Sequence, residues 1–270
     1  ALTKIDLVND PDWIGLVKDD IQDLLKDTSL EGFPIVEVSA RTGSGIAELI
    51  LLIEKFRKNP ITSALSAQPR LPVDRVFSIQ GFGTIVTGTL VDGSFSYGDE
   101  VEVFPAGLRS KIRGIQSHNQ KIDTALPGSR ASINLTNIDK ELIKRGDVLG
   151  RPGSLVSIEL IDVDVRLLNN EKIFLRHNDP VSFYSGTSKC SGRIRLLGKN
   201  ILNTNEQGFL QIALDRPVCV KNEDRFIIRK SSPSITLGGG KIINNRPEKK
   251  YKLMDYTVLE NLKIRQTGSV

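Results

Sequence analysis

Long hydrophobic runs are missing from this chain of 270 residues. No apolar stretch approaches the ~18 to 20 residues that a membrane-crossing helix needs, and the N-terminus lacks a basic stretch followed by an apolar signal core. A cytoplasmic location with no membrane partner is the expectation. Cysteine and histidine are scarce: Cys190 and Cys219 form no C-x-x-C pair, and the only histidines are His118 and His177. A disulfide framework and a zinc site are thereby excluded, and the thiols are expected to be reduced and structural. The pattern G-x-x-x-x-G-K-[ST] is also absent. Without it there is no backbone cradle for phosphates, no lysine for the β/γ-phosphates and no hydroxyl for magnesium. These residues by themselves are expected to have no catalytic group, no metal and no nucleoside triphosphatase activity.

What is present describes a globular protein, with 39% apolar residues, 26% charged and a net charge of +5. Two or three domains fit this length. The mildly basic balance suits either a polyanionic partner or an ordinary solvated surface. Its excess is uneven. Arg225, Arg229, Lys230, Lys241, Arg246, Lys249, Lys250 and Lys252 lie close together with Glu248 as the one acid among them.

The chain opens on Ala1-Leu2-Thr3-Lys4-Ile5-Asp6 without a methionine, as though part-way through a domain. Trp13, Ile14, Val17, Ile21, Leu24 and Leu25 then recur at helical spacing behind Asn9, Asp10 and Pro11, predicting a helix to about Asp27. Residues 34–38 predict a short buried strand, and Ile46, Leu49, Ile50, Ile53 and Phe56 a second helix. If the residues before Thr3 form a strand, the order implies a parallel α/β sheet, with both loops at the strand ends where ligands bind.

Beyond a polar linker at residues 59–70, the reading changes to all-β. Residues 71–90, LPVDRVFSIQGFGTIVTGTL, predict two strands joined at Gln80-Gly81-Phe82-Gly83. A dinucleotide loop would need a helix after the glycines, and 84–90 is β-branched instead. Further strands are predicted at 99–104, 110–117, 121–126 and 130–135, with turns at Asp92-Gly93, Pro105-Ala106-Gly107 and Pro127-Gly128. Residues 137–144 suggest a helical turn, and 145–149 close the unit. Six short strands suggest a closed antiparallel barrel. After Pro152-Gly153 a second barrel is predicted from strands at 157–168, 180–184, 191–197, 208–214, 218–220, 225–229 and 235–243. The fold class expected is thus a partial α/β domain at 1–60, barrels at 69–152 and 153–247, and the start of a further region at 248–270. In that last region Leu253, Tyr256, Leu259 and Leu262 recur every three residues.

Two resemblances attach function to this plan. Thr3-Lys4-Ile5-Asp6 and Ser39-Ala40-Arg41 resemble the guanine-reading NKxD and SAK motifs of GTPases, with Thr3 in place of the usual asparagine. The chemistry suits them: Asp6 can accept from guanine N1 and the exocyclic amine, Lys4 can lie over the ring, and the Ala40 N–H can donate to O6. A Lys-Asp turn at a polar strand end is the plainer alternative. The stretches 74–90, 112–120 (IRGIQSHNQ), 145–150 (RGDVLG) and 232–242 (SPSITLGGGKI) resemble the selenocysteine-specific elongation factor family, SelB. The pattern from Phe77 to Thr89 is shared more widely with elongation factor Tu and the initiation-factor γ subunit.

The family resemblance implies delivery of selenocysteinyl-tRNA to the ribosome. GTP and magnesium would be the cofactors of the whole protein, and an mRNA hairpin would be read by a domain beyond these residues. It places the selenocysteinyl moiety at Asp74, Arg75 and Arg130, where two arginines would bind a selenolate and Asp74 would orient one of them. A surface Asp-Arg pair is the alternative there. The second barrel and the basic strip, with Arg229, Lys230, Lys241, Lys249 and Lys250, would face tRNA phosphates. Two rival readings remain: a translational GTPase carrying another aminoacyl-tRNA, and a non-catalytic tRNA-binding barrel module.

Overall fold

The computed structural model describes residues 1–8, 10–26, 28–57, 68–170 and 172–267, so most of the expected linker lies outside the described residues. The chain divides into two compact units, Ala1–Ala64 and Leu65–Val270.

In the first unit, β1 (Leu2–Thr3) and β2 (Glu37–Val38) pair in parallel, Leu2 opposite Glu37 and Thr3 opposite Val38. Between them runs α1 (Pro11–Leu25), whose N-cap Asp10 accepts from the Asp12 N–H at 3.0 Å, with Pro11 preset for the first turn. α2 (Ile46–Arg57) follows. The parallel sheet inferred from element order is present, but the strand expected over 34–38 shrinks to two residues; Pro34 has no N–H to give a ladder. Neither helix buries a residue fully, and Trp13, Leu16, Leu51 and Phe56 stay exposed.

The second unit holds both barrels. In the first, β3 (Arg70–Ile79) and β4 (Gly83–Thr89) form the expected hairpin. They are followed by β5 (Phe95–Ser96), β6 (Glu100–Phe104), β7 (Leu108–Ser117), β8 (Gln120–Ile122), β9 (Thr124–Ala125), β10 (Arg130–Leu135) and β11 (Val148–Gly150). The order β10-β4-β3-β11-β6-β7 closes on itself through a β7–β10 pairing, and β8 hangs on β7. The strand expected over 121–126 is therefore two short ones on different partners. The helical turn expected over 137–144 is a single 3₁₀ turn, Lys140–Leu142. Leu71, Val73, Val86, Phe95, Ile112 and Ile133 fill the interior. Gly88 is required where β4 crosses β3, because a Cβ there would lie 2.2 Å from the Pro72 carbonyl oxygen.

The second barrel uses β12 (Ile158–Leu167), β14 (Pro180–Ser185), β15 (Ser188–Leu196), β17 (Gln207–Val218), β18 (Arg225–Lys230) and β19 (Ile235–Asn244), closed in the order β12-β17-β15-β14-β18-β19. The short β13 (Leu175–Arg176) and β16 (Ile201–Leu202) pair aside from it. The helical pattern near the C-terminus becomes α3 (Tyr256–Thr267), which lays Leu262 against Leu197 and Ile243 of the barrel. The barrels are tied together by Arg70, whose guanidinium bonds Asp92 of its own barrel at 3.2 Å and both carboxylate oxygens of Asp224 in the other. Cys219 packs between them with Phe104, Val148 and Leu155, and burial pushes its thiol up to about 11, which leaves it inert at neutral pH.

Candidate functional site

The two sets of sequence-predicted residues fall in different units. In the first unit the loop after β2 brings Ser39 under Asp6, 33 residues away in sequence: the Ser39 hydroxyl donates to Asp6 Oδ1 at 2.6 Å and accepts the Thr42 N–H at 3.2 Å. Ser39 is fully buried while Ala40 and Arg41 are exposed. The loop can turn back this tightly because Gly45, at φ +70°, sits where any Cβ would lie 1.8 Å from the Glu37 carbonyl. Lys4 occupies the left-handed region at φ 62°, and Thr3 is the last residue of β1. Arg41 approaches Asp6 only at 3.9 Å with its side chain 81% exposed, so it adds little. One Asp6 oxygen is thus fixed by a serine at the base of the loop. An oriented carboxylate beside an exposed N–H donor suits a purine with adjacent ring and amine donors, so the residues fit the base of a guanine nucleotide. Among the described residues nothing equivalent is present for its phosphates: the triple glycine 238–240 lies within β19. A Cβ at Gly238, Gly239 or Gly240 would come within 2.3, 2.5 or 1.9 Å of a neighbouring strand's carbonyl oxygen. Those glycines let three strands approach.

In the first barrel, Asp74 is the extra residue of a bulge, since the β3–β4 register steps between Val73 opposite Gly88 and Arg75 opposite Thr87. Its carboxylate receives Arg130 in a fork, Nη1 to Oδ2 at 2.5 Å and Nη2 to Oδ1 at 3.1 Å. The Thr87 hydroxyl donates to Oδ1 at 2.7 Å. Arg130 reaches across β4 to do this, because it opens β10 opposite Thr89. Burial alone would raise the Asp74 carboxyl; the bonds from Thr87 and Arg130 and the charges of Arg130 and Arg75 outweigh it and hold the group below the usual carboxylate range. Asp74 is 20% exposed and Arg130 53%, so the fork sits at the rim of the barrel. Arg75 is exposed and, with Asp74, lines an open depression of about 600 Å³ shared with Phe77, Lys140, Ile143 and Arg145. Arg75 and Arg130 against Asp74 leave those three residues one positive charge in excess, while in the depression itself Glu141 stands with Lys140 and Arg145.

Sequence reasoning missed Thr87, which completes the Asp74 shell. A signal existed: a turn at 80–82 pairs Ile79 with Gly83, and counting back along the hairpin sets Thr87 opposite Arg75.

The basic strip is contiguous in sequence but divided in space. Arg229 and Lys230 pair with Thr236 and Ile235 at the start of β19, whereas Lys249 and Lys250 follow its end at Asn244. At the usual rise those ends of a ten-residue strand are roughly 30 Å apart along it. Lys241 is answered by Glu223 at 2.7 Å, and Arg229 donates within its own hairpin to the Ser234 carbonyl at 3.4 Å. Lys230, Lys249 and Lys250 are exposed.

Residues 161–249 match the family model described as the selenocysteine-specific elongation factor beta-barrel domain, and residues 83–150 match elongation factor Tu domain 2. A selenocysteine-specific elongation factor of Desulfomicrobium baculatum is 38% identical over 244 residues, which are 90% of this chain and 38% of that protein. Over most of its length the chain is similar to selenocysteine-specific elongation factors. The counterpart from Haemophilus influenzae is 29% identical over 277 positions, covering all of this chain and 42% of its own length. The chain therefore spans about two fifths of the curated family members it matches. Among solved structures, that of a bacterial selenocysteine-specific elongation factor, EF-Sec, superposes with a TM-score of 0.80 at 25% identity, over 98% of this chain and 42% of that one. SelB from Methanococcus maripaludis in its apo form gives 0.78 at 26% identity, over 91% and 58%.

Proposed function

We propose that this chain is the part of a GTP-dependent elongation factor that holds selenocysteinyl-tRNA for delivery to the ribosome. The first barrel grips the aminoacyl end, and the first unit carries the guanine-reading loops. The observation that carries the reading is the rim constellation of Asp74, Thr87 and Arg130 with Arg75 beside it. A selenol is largely ionised at neutral pH, whereas the hydroxyl of serine is not. A site with two guanidiniums and one carboxylate favours the anion, and the carboxylate fixes Arg130 so that little side-chain freedom is lost on binding.

In this reading Asp6, Ser39, Thr3, Lys4, Ala40 and Arg41 serve the base of GTP. Its phosphates and magnesium are held by residues outside this sequence, and contacts to an mRNA hairpin lie outside it too. Exposed cations of the second barrel and its C-terminal extension meet tRNA phosphates.

The test compares selenocysteinyl-tRNA with seryl-tRNA binding to the whole GTP-bound protein. Arg130→Ala is expected to weaken the selenocysteinyl complex about 30-fold, the worth of a hydrogen bond to a charged group, and to leave the seryl complex nearly unchanged. Equal affinities for the two tRNAs in the unaltered protein would overturn the selenolate pocket and favour a carrier of another aminoacyl-tRNA.

A further inference from the structure

Arg130 is held at its guanidinium by Asp74, and it is also the first residue of its strand, just after Ser129, whose carbonyl accepts the Leu90 N–H at 2.9 Å. On one side it pairs with Thr89 of β4. On the other, the β7–β10 ladder ends two residues short, at Ser132 opposite Gln116. The missing bond is supplied by a side chain: the Ser117 hydroxyl donates to the Arg130 carbonyl at 2.9 Å. Ser117 is the last residue of β7, just before the two-residue turn His118-Asn119 that leads into β8.

The same hydroxyl lies 3.1 Å from His118 Nδ1. A serine has one proton, and here it is given to Arg130, so the imidazole is the donor in the second contact and carries its hydrogen on Nδ1. That donation persists whether the ring is neutral or charged. The turn has both residues in the left-handed region, His118 at φ 50° and Asn119 at φ 61°, the backbone that a two-residue hairpin turn with the twist of its strands requires. His118 is thereby held next to the serine whose rotamer it locks.

We propose that Ser117, locked by His118, is a positioning residue for the selenocysteinyl pocket, fixing the backbone of Arg130 so that its guanidinium meets the selenolate at the right place. The inference rests on the pocket reading above. Ser117 touches no substrate; it acts through Arg130. Without its hydroxyl the strand end loosens, and the benefit lost is confined to the ligand that uses Arg130.

The experiment uses the whole protein in its GTP-bound form, with selenocysteinyl-tRNA and seryl-tRNA as probes. Ser117→Ala is expected to lower affinity for selenocysteinyl-tRNA about five-fold, the scale of one hydrogen bond, with seryl-tRNA affinity unchanged. Ser117→Thr keeps the hydroxyl on a strand-compatible side chain and is expected to restore the preference. The proposal is overturned if Ser117→Ala leaves the ratio of the two affinities intact, or lowers both equally as a general loosening of the barrel would. Arg130→Ala, run in parallel, locates a failure. If it abolishes the preference while Ser117→Ala does not, only the positioning role falls; if it too leaves the preference intact, the pocket reading falls and takes this inference with it.

Discussion

Each barrel keeps a carboxylate at a critical point, and the two are handled in opposite ways. Asp162 of the second barrel is fully buried and surrounded by neutral donors: Gln211 Nε2 at 2.9 Å, Asn244 Nδ2 at 2.9 Å and the Tyr251 hydroxyl at 3.2 Å. Burial raises its carboxyl despite those three bonds, and the Tyr251 phenol is pushed up to about 12 by its own burial first and then by Asp162 beside it. Asp74 of the first barrel lies at the rim with an arginine fork and is held low. The contrast separates a polar group that organises structure from one that prepares a charge for a ligand. Asp162 ties together two strands and the segment leading to α3, since Gln211 also accepts from the Tyr251 N–H and donates to the Lys249 carbonyl. Asp74 ties down one side chain whose far face remains in water.

The largest effect that tests this contrast is on stability. Asp162→Ala strands three hydrogen-bonding groups, those of Gln211 and Asn244 buried and that of Tyr251 partly so, and is expected to cost about 3 kcal/mol in urea unfolding. Asp74→Ala removes a rim ion pair and a hydroxyl partner and is expected to cost about 1 kcal/mol. Comparable losses from the two substitutions would abolish the distinction. Hydrogen exchange adds a second readout: Asp162→Ala is expected to speed exchange across Tyr251 and α3, and Asp74→Ala to leave that region unchanged.

A smaller effect follows from pH, with opposite signs at the two sites. Asp74 has a folded-state affinity for protons below that of the unfolded chain. Its contribution is present at neutral pH and is lost as pH falls through its lowered folded value. Asp162 binds protons more tightly folded than unfolded, so its contribution is largest at low pH and falls as pH rises from the ordinary carboxylate value through the raised one. The stability difference between the natural protein and Asp74→Asn is therefore expected to shrink on acidification from pH 7, and that for Asp162→Asn to grow. Paired denaturation curves across acid pH measure both; slopes of the same sign would contradict the assignment.

How much of this was legible beforehand depended on how local the signal was. Alternation along 71–79 and 158–167 and the Gly-rich turn at 80–83 specify strands by themselves, and the structure has them within a residue or two. The motif pair at Asp6 and Ser39 was legible because one short helix separates the two loops, and their hydrogen bond needs only the parallel pairing of β1 and β2. Three things were not legible. The bulge at Asp74 is a register step, invisible to a period-two reading. The Arg70–Asp224 tie spans 154 positions and joins two barrels that the sequence shows only one at a time. The unity of the basic strip was inferred from adjacency along the chain, while a ten-residue strand carries its members apart.

That last separation gives the smallest effect and a clean test of the second barrel's role. Each exposed cation that meets a phosphate is expected to contribute to tRNA affinity and to its salt dependence, lowering the slope of log K against log salt by up to about 0.9 when removed. Lys230→Ala and Lys249→Ala lie at opposite ends of β19, whose ends are roughly 30 Å apart along the strand, beyond the range at which substitutions ordinarily couple. Their effects on binding are expected to add within about 0.3 kcal/mol. Coupling well above that would mean the two ends meet a single phosphate cluster. Loss at one end only would assign the tRNA to that end of the barrel, leaving the other as a solvated face. The first barrel offers the contrasting case: Asp74 and Arg130 share hydrogen bonds at 2.5 and 3.1 Å, so their substitutions are expected to be non-additive in the same assay.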